Sequence, residues 1–268
     1  MKEKDLKLVV KEKYGKIASQ SSLLNPSSCC GTSGCCDDLE FSMIGDEYAL
    51  VPGHNPDADL GLGCGLPTEY ASINQGDSVL DLGSGAGNDC FVARSIVGEN
   101  GKVTGLDFTD EMIQKAKLNL AKTKFTNIEF VLGDIENMPF LENTFDVVIS
   151  NCVLNLVPDK VKAFSEIYRV LKPGGHFCIS DVVLSGKLLE AVRQAAEMYA
   201  GCVAGASQKP DYLFLIQKTG FSQIKIHKEK LISVPDNILL KYISTEELND
   251  LKSKGTGIFS ITVSAAKL

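Results

Sequence analysis

The feature that most constrains the fold is a regular alternation of short apolar strands and amphipathic helices that begins at Ser78. Strands are predicted at Ser78–Leu82, Lys102–Asp107, Asn127–Leu132, Phe145–Ser150 and His176–Leu184. Helices are predicted between them at Asn88–Val97, Asp110–Lys122 (with Thr109 as its N-cap) and Asp159–Leu171. Strand–helix units of this length form a parallel sheet with helices on both faces. The sequence therefore predicts an α/β fold.

The segments on either side of this alternation differ from it. Residues 1–20 alternate charged and apolar side chains, which predicts a helix, and 21–67 predict a Cys-rich irregular extension. Near the other end, Ile224–Ser233 and Ile258–Ala266 alternate around a helical stretch at 236–252 and are expected to close the same sheet. We therefore predict about seven strands, mostly parallel. We predict that the chain divides into three parts. Residues 1–67 cover the site, residues 68–185 form the ligand-binding core, and residues 186–268 supply a further helix and the closing strands.

Composition and charge exclude several function classes. The 268 residues are 44% apolar and 23% charged, and 27 Lys and Arg against 34 Asp and Glu give a net charge of −7. A nucleic-acid surface needs clustered positive charge, so we expect no nucleic-acid partner. No apolar run approaches ~18 residues, and charges interrupt the first apolar stretch, so we expect neither a membrane span nor a signal peptide. We expect a monomer in the cytoplasm.

A glycine-rich loop, Asp81–Gly87, joins the first strand to the first helix. Its glycines allow positive φ angles and a close approach of the backbone to a ligand, although the pattern alone also suits a tight turn. Asp107 ends the second strand, where a carboxylate can accept hydrogen bonds from both ribose hydroxyls. Asp134 follows the third strand, where an adenine amine could be read. Together these positions predict a nucleoside-containing cofactor.

The same motifs resemble the class I S-adenosylmethionine methyltransferases over about residues 70–185. The DxGxGxG loop, the acid of the second strand, the Gly-Asp after the third and the LKPGG turn at Leu171–Gly175 all match. The glycine spacing departs from the nicotinamide fingerprint. The resemblance implies a Rossmann-like sheet and S-adenosylmethionine as cofactor, with Asp81 near its amino group. The implied cofactor-binding residues are Asp81, Gly83, Gly85, Gly87, Asp107, Asp134, Ile135 and Asn151.

Nine cysteines stand out in a chain without tryptophan. An odd number without an export signal favours a reducing compartment over a disulfide framework. Cys90 in the first helix and Cys178 in the fifth strand are predicted to be small buried hydrophobes. Cys152 follows the fourth strand, at the edge where open parallel sheets bind ligands, although a buried packing role also fits that position.

Other cysteines lie in glycine-rich or paired contexts. The Gly63-Cys64-Gly65 segment is expected to expose its thiol on a tightly folding backbone, and Cys202 lies between Gly201 and Gly205, where packing fits equally. The upstream cysteines are two adjacent pairs, Cys29-Cys30 and Cys35-Cys36. Zinc ribbons space their ligands differently and often include His, so a zinc site is disfavoured in a chain with 3 His.

The surroundings of three cysteines narrow the resemblance to the arsenite S-adenosylmethionine methyltransferases. The matching segments are LGLGCGLP around Cys64, SNCVLN around Cys152 and YAGCVAGA around Cys202, and similarity runs from about residue 14 to 221. The family implies that these three thiolates bind trivalent arsenic, a soft centre that suits sulfur. It also uses one cysteine further upstream, and spacing favours Cys36 over Cys35, with Cys29 and Cys30 still open.

The resemblance implies a reaction that methylates arsenite and then methylarsenite, for arsenic detoxification. Arsenite or its thiol conjugates would be the substrate. Cys36 and Cys64 would act as third ligand or electron relay, and an external thiol or thioredoxin would restore the cysteines by exchange. Two other hypotheses are a class I methyltransferase for a small organic acceptor and a metalloid-binding protein on this scaffold.

Overall fold

In a computed structural model of the chain, an 18-residue helix precedes one large sheet. The structure describes residues 3–20, 48–187, 189–190, 192, 203, 205–233, 235–253 and 256–268. The predicted ligand Cys202 and the upstream Cys29, Cys30, Cys35 and Cys36 lie outside these residues.

Eight strands and eight α-helices are defined in the described part of the chain. The strands are β1 Ser78–Leu82, β2 Lys102–Asp107, β3 Ile128–Leu132, β4 Phe145–Asn151, β5 Leu171–Ser185, β6 Ser207–Gln208, β7 Ser222–Leu231 and β8 Gly257–Ala266. The helices are α1 Glu3–Gln20, α2 Pro67–Tyr70, α3 Asn88–Val97, α4 Asp110–Ala121, α5 Lys160–Val170, α6 Lys209–Lys218, α7 Asp236–Leu239 and α8 Thr245–Ser253.

The strands form one mixed sheet in the order β3-β2-β1-β4-β5-β8-β7, with the short β6 paired to β5. Strands β1 to β5 run parallel, and β8 runs antiparallel to both β5 and β7. The predicted mostly parallel sheet with two closing strands is therefore confirmed. The order reverses between β1 and β4, the place where open α/β sheets form a ligand crevice.

Side chains alternate between the two faces of the sheet, as burial on both faces requires. Val79 of β1 and Val147 of β4 pack with α3 and α4, whereas the adjacent Leu80 and Val148 pack with α5 and α6. The predicted helices on both faces are thereby confirmed.

Two local expectations need correction. The LKPGG segment is the start of β5 and not a separate turn, because Leu171 pairs with Phe145 of β4 before an irregularity in the register. Thr109 is the N-cap residue of α4, but its side chain makes no capping hydrogen bond. Instead, Asp107 Oδ1 accepts from Thr109 N at 2.8 Å, so the carboxylate fixes the start of the helix.

Candidate active site

The glycine-rich loop packs against the end of β2. Gly83 N and Ser84 N both donate to Leu106 O, at 2.7 and 3.0 Å. Gly83 has a φ of 66°, and a Cβ on it would overlap Val153 Cγ2. Only glycine fits there. Positive φ angles, as predicted, are found at Gly83, Gly85 and Gly87.

A cavity lies between this loop, the carboxyl ends of the neighbouring strands and helix α1. The predicted cofactor residues that line it are Asp81, Gly83, Gly85, Asp107, Asp134, Ile135 and Asn151. Gly87 stands behind the cavity wall, where a Cβ would lie 2.7 Å from Phe130 Cζ. The structure therefore brings together residues from four separate strand ends, as a crevice at a reversal of strand order requires.

Asp107 is held at the cavity by backbone donors. Its Oδ2 accepts from Gly85 N at 3.0 Å and its Oδ1 accepts from Thr109 N. Burial raises the pKa of this carboxyl, while the backbone donors oppose that rise. Each carboxylate oxygen has a second lone pair, so both can still accept from a ligand hydroxyl.

Asp81 is buried beneath the loop and contacts a cysteine. Cys90 Sγ donates to Asp81 Oδ2 at 3.2 Å, so Cys90 is more than the buried hydrophobe we expected. Burial, together with the charges of Asp89 and Asp107, raises the pKa of Asp81 well above its ordinary value. Cys178 is buried in the core as predicted, and burial raises the pKa of its thiol to about 12.

A hydrogen-bonded group that sequence reasoning missed links the cavity to the segment around Cys64. Tyr48 OH donates to Asp89 Oδ1 at 2.6 Å, and Asn151 Nδ2 donates to Tyr48 OH at 2.7 Å. Burial and the charge of Asp59 raise the pKa of Asp89 to about 6, although the hydrogen bonds that Tyr48 and Asn151 donate to its carboxylate oppose this. The only signal in the sequence was an acid in the first turn of α3, which is also common because a negative charge there complements the helix dipole.

Helix α1 forms part of the cavity wall through Lys7, Val10 and Tyr14. Lys7 Nζ lies 2.5 Å from Asp134 Oδ2 and also contacts Glu136. The carboxylate predicted to read an adenine amine is therefore already paired with a lysine in this structure. Its role toward a cofactor stays a prediction.

Three carboxylates, Asp81, Asp89 and Asp107, converge on the cavity. Among the ion pairs of the described residues, none joins any of the three to a lysine or arginine. A bound cation would offset the cost of burying these charges. S-adenosylmethionine carries both a sulfonium and an ammonium group, so the residues fit this cofactor.

Cys64 and Cys152 belong to one buried cluster with Val182 and Leu184 of β5. Cys152 N donates to Ser180 O at 2.7 Å, and Cys152 also lines the cavity. Cys64 is 2% exposed, so our expectation of an exposed thiol was wrong. No disulfide joins the cysteines that the structure describes.

The glycines beside Cys64 have a packing role. A Cβ at Gly63 would lie 2.6 Å from Asn151 Nδ2, and one at Gly65 would lie 2.6 Å from Ser180 Oγ. The two glycines let the backbone of Cys64 approach Asn151 at the end of β4 and Ser180 within β5, which brings its thiol into the cluster with Cys152. Within the described ranges, no three His, Cys, Asp or Glu side chains are grouped as a metal site.

Comparisons with known proteins agree with this geometry. A family model described as a methyltransferase domain matches residues 73–226. The fold, the cavity and this match define the chain as a member of the S-adenosylmethionine-dependent methyltransferase class. Across the residues described, no helix is both long and apolar enough to cross a membrane.

The relatives narrow the family further. The chain is 39% identical to an arsenite methyltransferase of Halobacterium salinarum, over 97% of this chain and 66% of the relative. It is 36% identical to an arsenite methyltransferase of Aquipseudomonas alcaligenes, over 91% of this chain and 68% of the relative. This chain belongs to the arsenite methyltransferase family, which confirms the resemblance. It spans about two thirds of the length of these relatives.

A solved structure supports the same assignment. The crystal structure of an arsenic(III) S-adenosylmethionine methyltransferase from Chlamydomonas reinhardtii superposes with a TM-score of 0.63 at 36% identity. The match covers 75% of this chain and 66% of that one.

Proposed function

We propose that this chain transfers a methyl group from S-adenosylmethionine to trivalent arsenic, with arsenite and then methylarsenite as substrates, in arsenic detoxification. The observation that carries the proposal is the position of Cys152, which lines the cofactor cavity and shares a buried cluster with Cys64. A thiol at the wall of a cofactor cavity, with a second thiol from a distant segment in the same buried cluster, suits a thiophilic substrate better than an organic one.

The chain's own residues would hold the cofactor by its charges and its ribose. Asp81 and Asp89 offer carboxylates to cationic groups, and Asp107 offers lone pairs to hydroxyl groups. When bound, S-adenosylmethionine supplies an activated methyl group that the arsenic lone pair can attack. No strong general base is required, because the arsenic lone pair carries no proton. Holding the acceptor in line with the methyl can contribute about 7–11 kcal/mol.

The thiolates Cys64, Cys152 and Cys202 would bind the substrate. For each As–S bond formed, one As–O bond breaks, and the thiol proton leaves with that oxygen as water. Attack by the arsenic lone pair makes arsenic formally pentavalent. A second thiolate, its proton released to solvent, then forms a disulfide with one arsenic-bound sulfur, and the electron pair of the broken As–S bond returns arsenic to the trivalent state. We assign that relay to Cys64 and Cys36, with an external thiol or thioredoxin as the reductant. We further propose a cytoplasmic monomer with the division 1–67, 68–185 and 186–268.

Substitution of one thiol at a time tests the proposal. Cys152→Ser removes a ligand, so incorporation of radiolabelled methyl into arsenic should fall to background. Cys178→Ala is the matched control, since Cys178 is a buried cysteine in a different cluster from Cys152, and it should retain activity. An organic acceptor panel runs in parallel. Full arsenic methylation by Cys152→Ser, or labelling of an organic acceptor alone, would contradict the proposal.

A further inference from the structure

One side chain ties the segment around Cys64 to the end of β4. Asn151 Oδ1 accepts from Cys64 N at 2.9 Å, and Asn151 Nδ2 donates to Gly65 O at 2.8 Å. The two bonds pair the amide with the backbone on both sides of Cys64. Asn151 also directly precedes Cys152, so the same residue lies beside both thiols.

The backbone of Cys64 is held from a second direction. Ser260 Oγ of β8 donates to Cys64 O at 2.5 Å. The N–H and the C=O of Cys64 are therefore both bonded to strand residues, which fixes the backbone that carries the thiol. Asn151 is the partner on the side that faces the cofactor cavity.

The amide of Asn151 is itself fixed from the cavity side. Its Nδ2 carries two hydrogens and faces three acceptors: Gly65 O, Tyr48 OH at 2.7 Å and Asp89 Oδ2 at 3.3 Å. Tyr48 is buried and donates a hydrogen bond to Asp89, which lines the cavity. A cation near Asp89 would favour its carboxylate form, and a carboxylate accepts these hydrogen bonds more strongly than a neutral acid does.

We propose that Asn151 is a positioning residue that sets Cys64 relative to Cys152, and that Tyr48 and Asp89 transmit cofactor occupancy to this pair. The inference rests on the proposed function, because it concerns thiols that bind arsenic. It assigns roles to Tyr48 and Asp89 that go beyond cofactor contact.

The proposal predicts that the loss of affinity caused by breaking the Asn151 bonds depends on how many thiolates bind the arsenic. Inorganic arsenite has three oxygens that thiolates can replace, whereas phenylarsenous acid has two, since one arsenic bond is to carbon. Cys64, as the third thiolate ligand, therefore contributes to the binding of arsenite and not to that of phenylarsenous acid. Loss of the Asn151 bonds should therefore weaken binding of arsenite much more than binding of phenylarsenous acid.

The experiment titrates full-length protein with each compound and follows ultraviolet As–S absorption. Asn151→Ala should raise the Kd for arsenite about tenfold, the equivalent of one to two lost hydrogen bonds, and change that for phenylarsenous acid less than about threefold. Tyr48→Phe should show a smaller change in the same direction. Tyr70→Phe is the matched control, because Tyr70 stacks on His227 outside this group.

A second measurement adds S-adenosylhomocysteine to the same titrations. In wild-type protein it should tighten arsenite binding roughly fivefold or more. Tyr48→Phe should lose that effect and Tyr70→Phe should keep it, which tests the inference even where Asn151→Ala does not fold. Equal weakening of both arsenicals, or cofactor linkage that survives Tyr48→Phe, would overturn the inference. Wild-type protein that binds neither arsenical would overturn the proposed function itself.

Discussion

Replacement of Gly63 by alanine tests how tightly the chain beside Cys64 packs against β4. A Cβ there would lie 2.6 Å from Asn151 Nδ2 and 3.1 Å from Asn151 Cγ. The shorter distance is below any normal contact, so the amide must withdraw. Withdrawal would break its bonds to Cys64 N and Gly65 O, which are 2.9 and 2.8 Å long.

The expected loss follows from those bonds. Two hydrogen bonds contribute about 1 kcal/mol each, and alanine offsets up to about 1 kcal/mol by restricting the unfolded chain. We therefore expect Gly63→Ala to lower the free energy of unfolding by about 1–2 kcal/mol. For a chain near this size, that shifts the Tm down by roughly 2–8 °C. Arsenite affinity should fall with it, because the thiol of Cys64 moves.

Calorimetric melting and As–S absorption measure the two effects. Gly15→Ala is the matched control, because a Cβ at Gly15 in α1 would meet only the flexible carboxylate of Glu111, at 3.1 Å. Alanine is the better helix former by about 1 kcal/mol, so this variant should melt at or above the wild-type temperature. If Gly63→Ala melts with the wild type and binds arsenite equally well, the packing account is refuted.

Three further predictions concern the cofactor cavity. Asp107→Ala removes the acceptor of Gly85 N and Thr109 N, so S-adenosylhomocysteine affinity by calorimetric titration should fall at least about tenfold; unchanged affinity would contradict the assignment. The pKa of Asp89 is raised to about 6, so the folded state binds this proton more tightly than the unfolded state does. Its contribution therefore makes the protein without cofactor more stable as pH falls from 7 through 6, and Asp89→Asn should flatten the dependence of Tm on pH. Lys7→Ala removes the partly exposed ion pairs that join α1 to Asp134 and Glu136, so it should cost less than about 1 kcal/mol yet speed proteolysis within α1. Equal cleavage rates would show that these pairs do not hold α1 in place.

Most of the sheet was predictable because its signals are local. The apolar run at Ser78–Leu82, the glycine loop and the alternation at 258–266 each identify an element from adjacent residues. The helix predicted from Asp159 begins at Lys160, because Asp159 is its N-cap and accepts from Lys162 N at 2.9 Å. The start of β5 was missed because proline and glycine in LKPGG indicate a turn, whereas pairing with Phe145 makes Leu171 a strand residue.

Part of the cavity lining was predictable from the sequence, but the hydrogen bonds behind it were not. Asp81 and Asp107 follow from the motif, and both line the cavity. The hydrogen bond from Cys64 to Asn151 joins positions far apart in sequence, so the local hydrophobic periodicity does not indicate it. For the same reason we expected Gly63 and Gly65 to expose a thiol, although they bring it into the core.

Single-turnover mass spectrometry tests the central claim most directly. The protein is loaded with one equivalent of arsenite, mixed with S-adenosylmethionine carrying a deuterated methyl group, and quenched in excess thiol. The account predicts deuterated methylarsenic in proportion to loaded protein, and none from Cys152→Ser. Deuterated methyl found on a cysteine of the chain, or on no arsenic species at all, would contradict it.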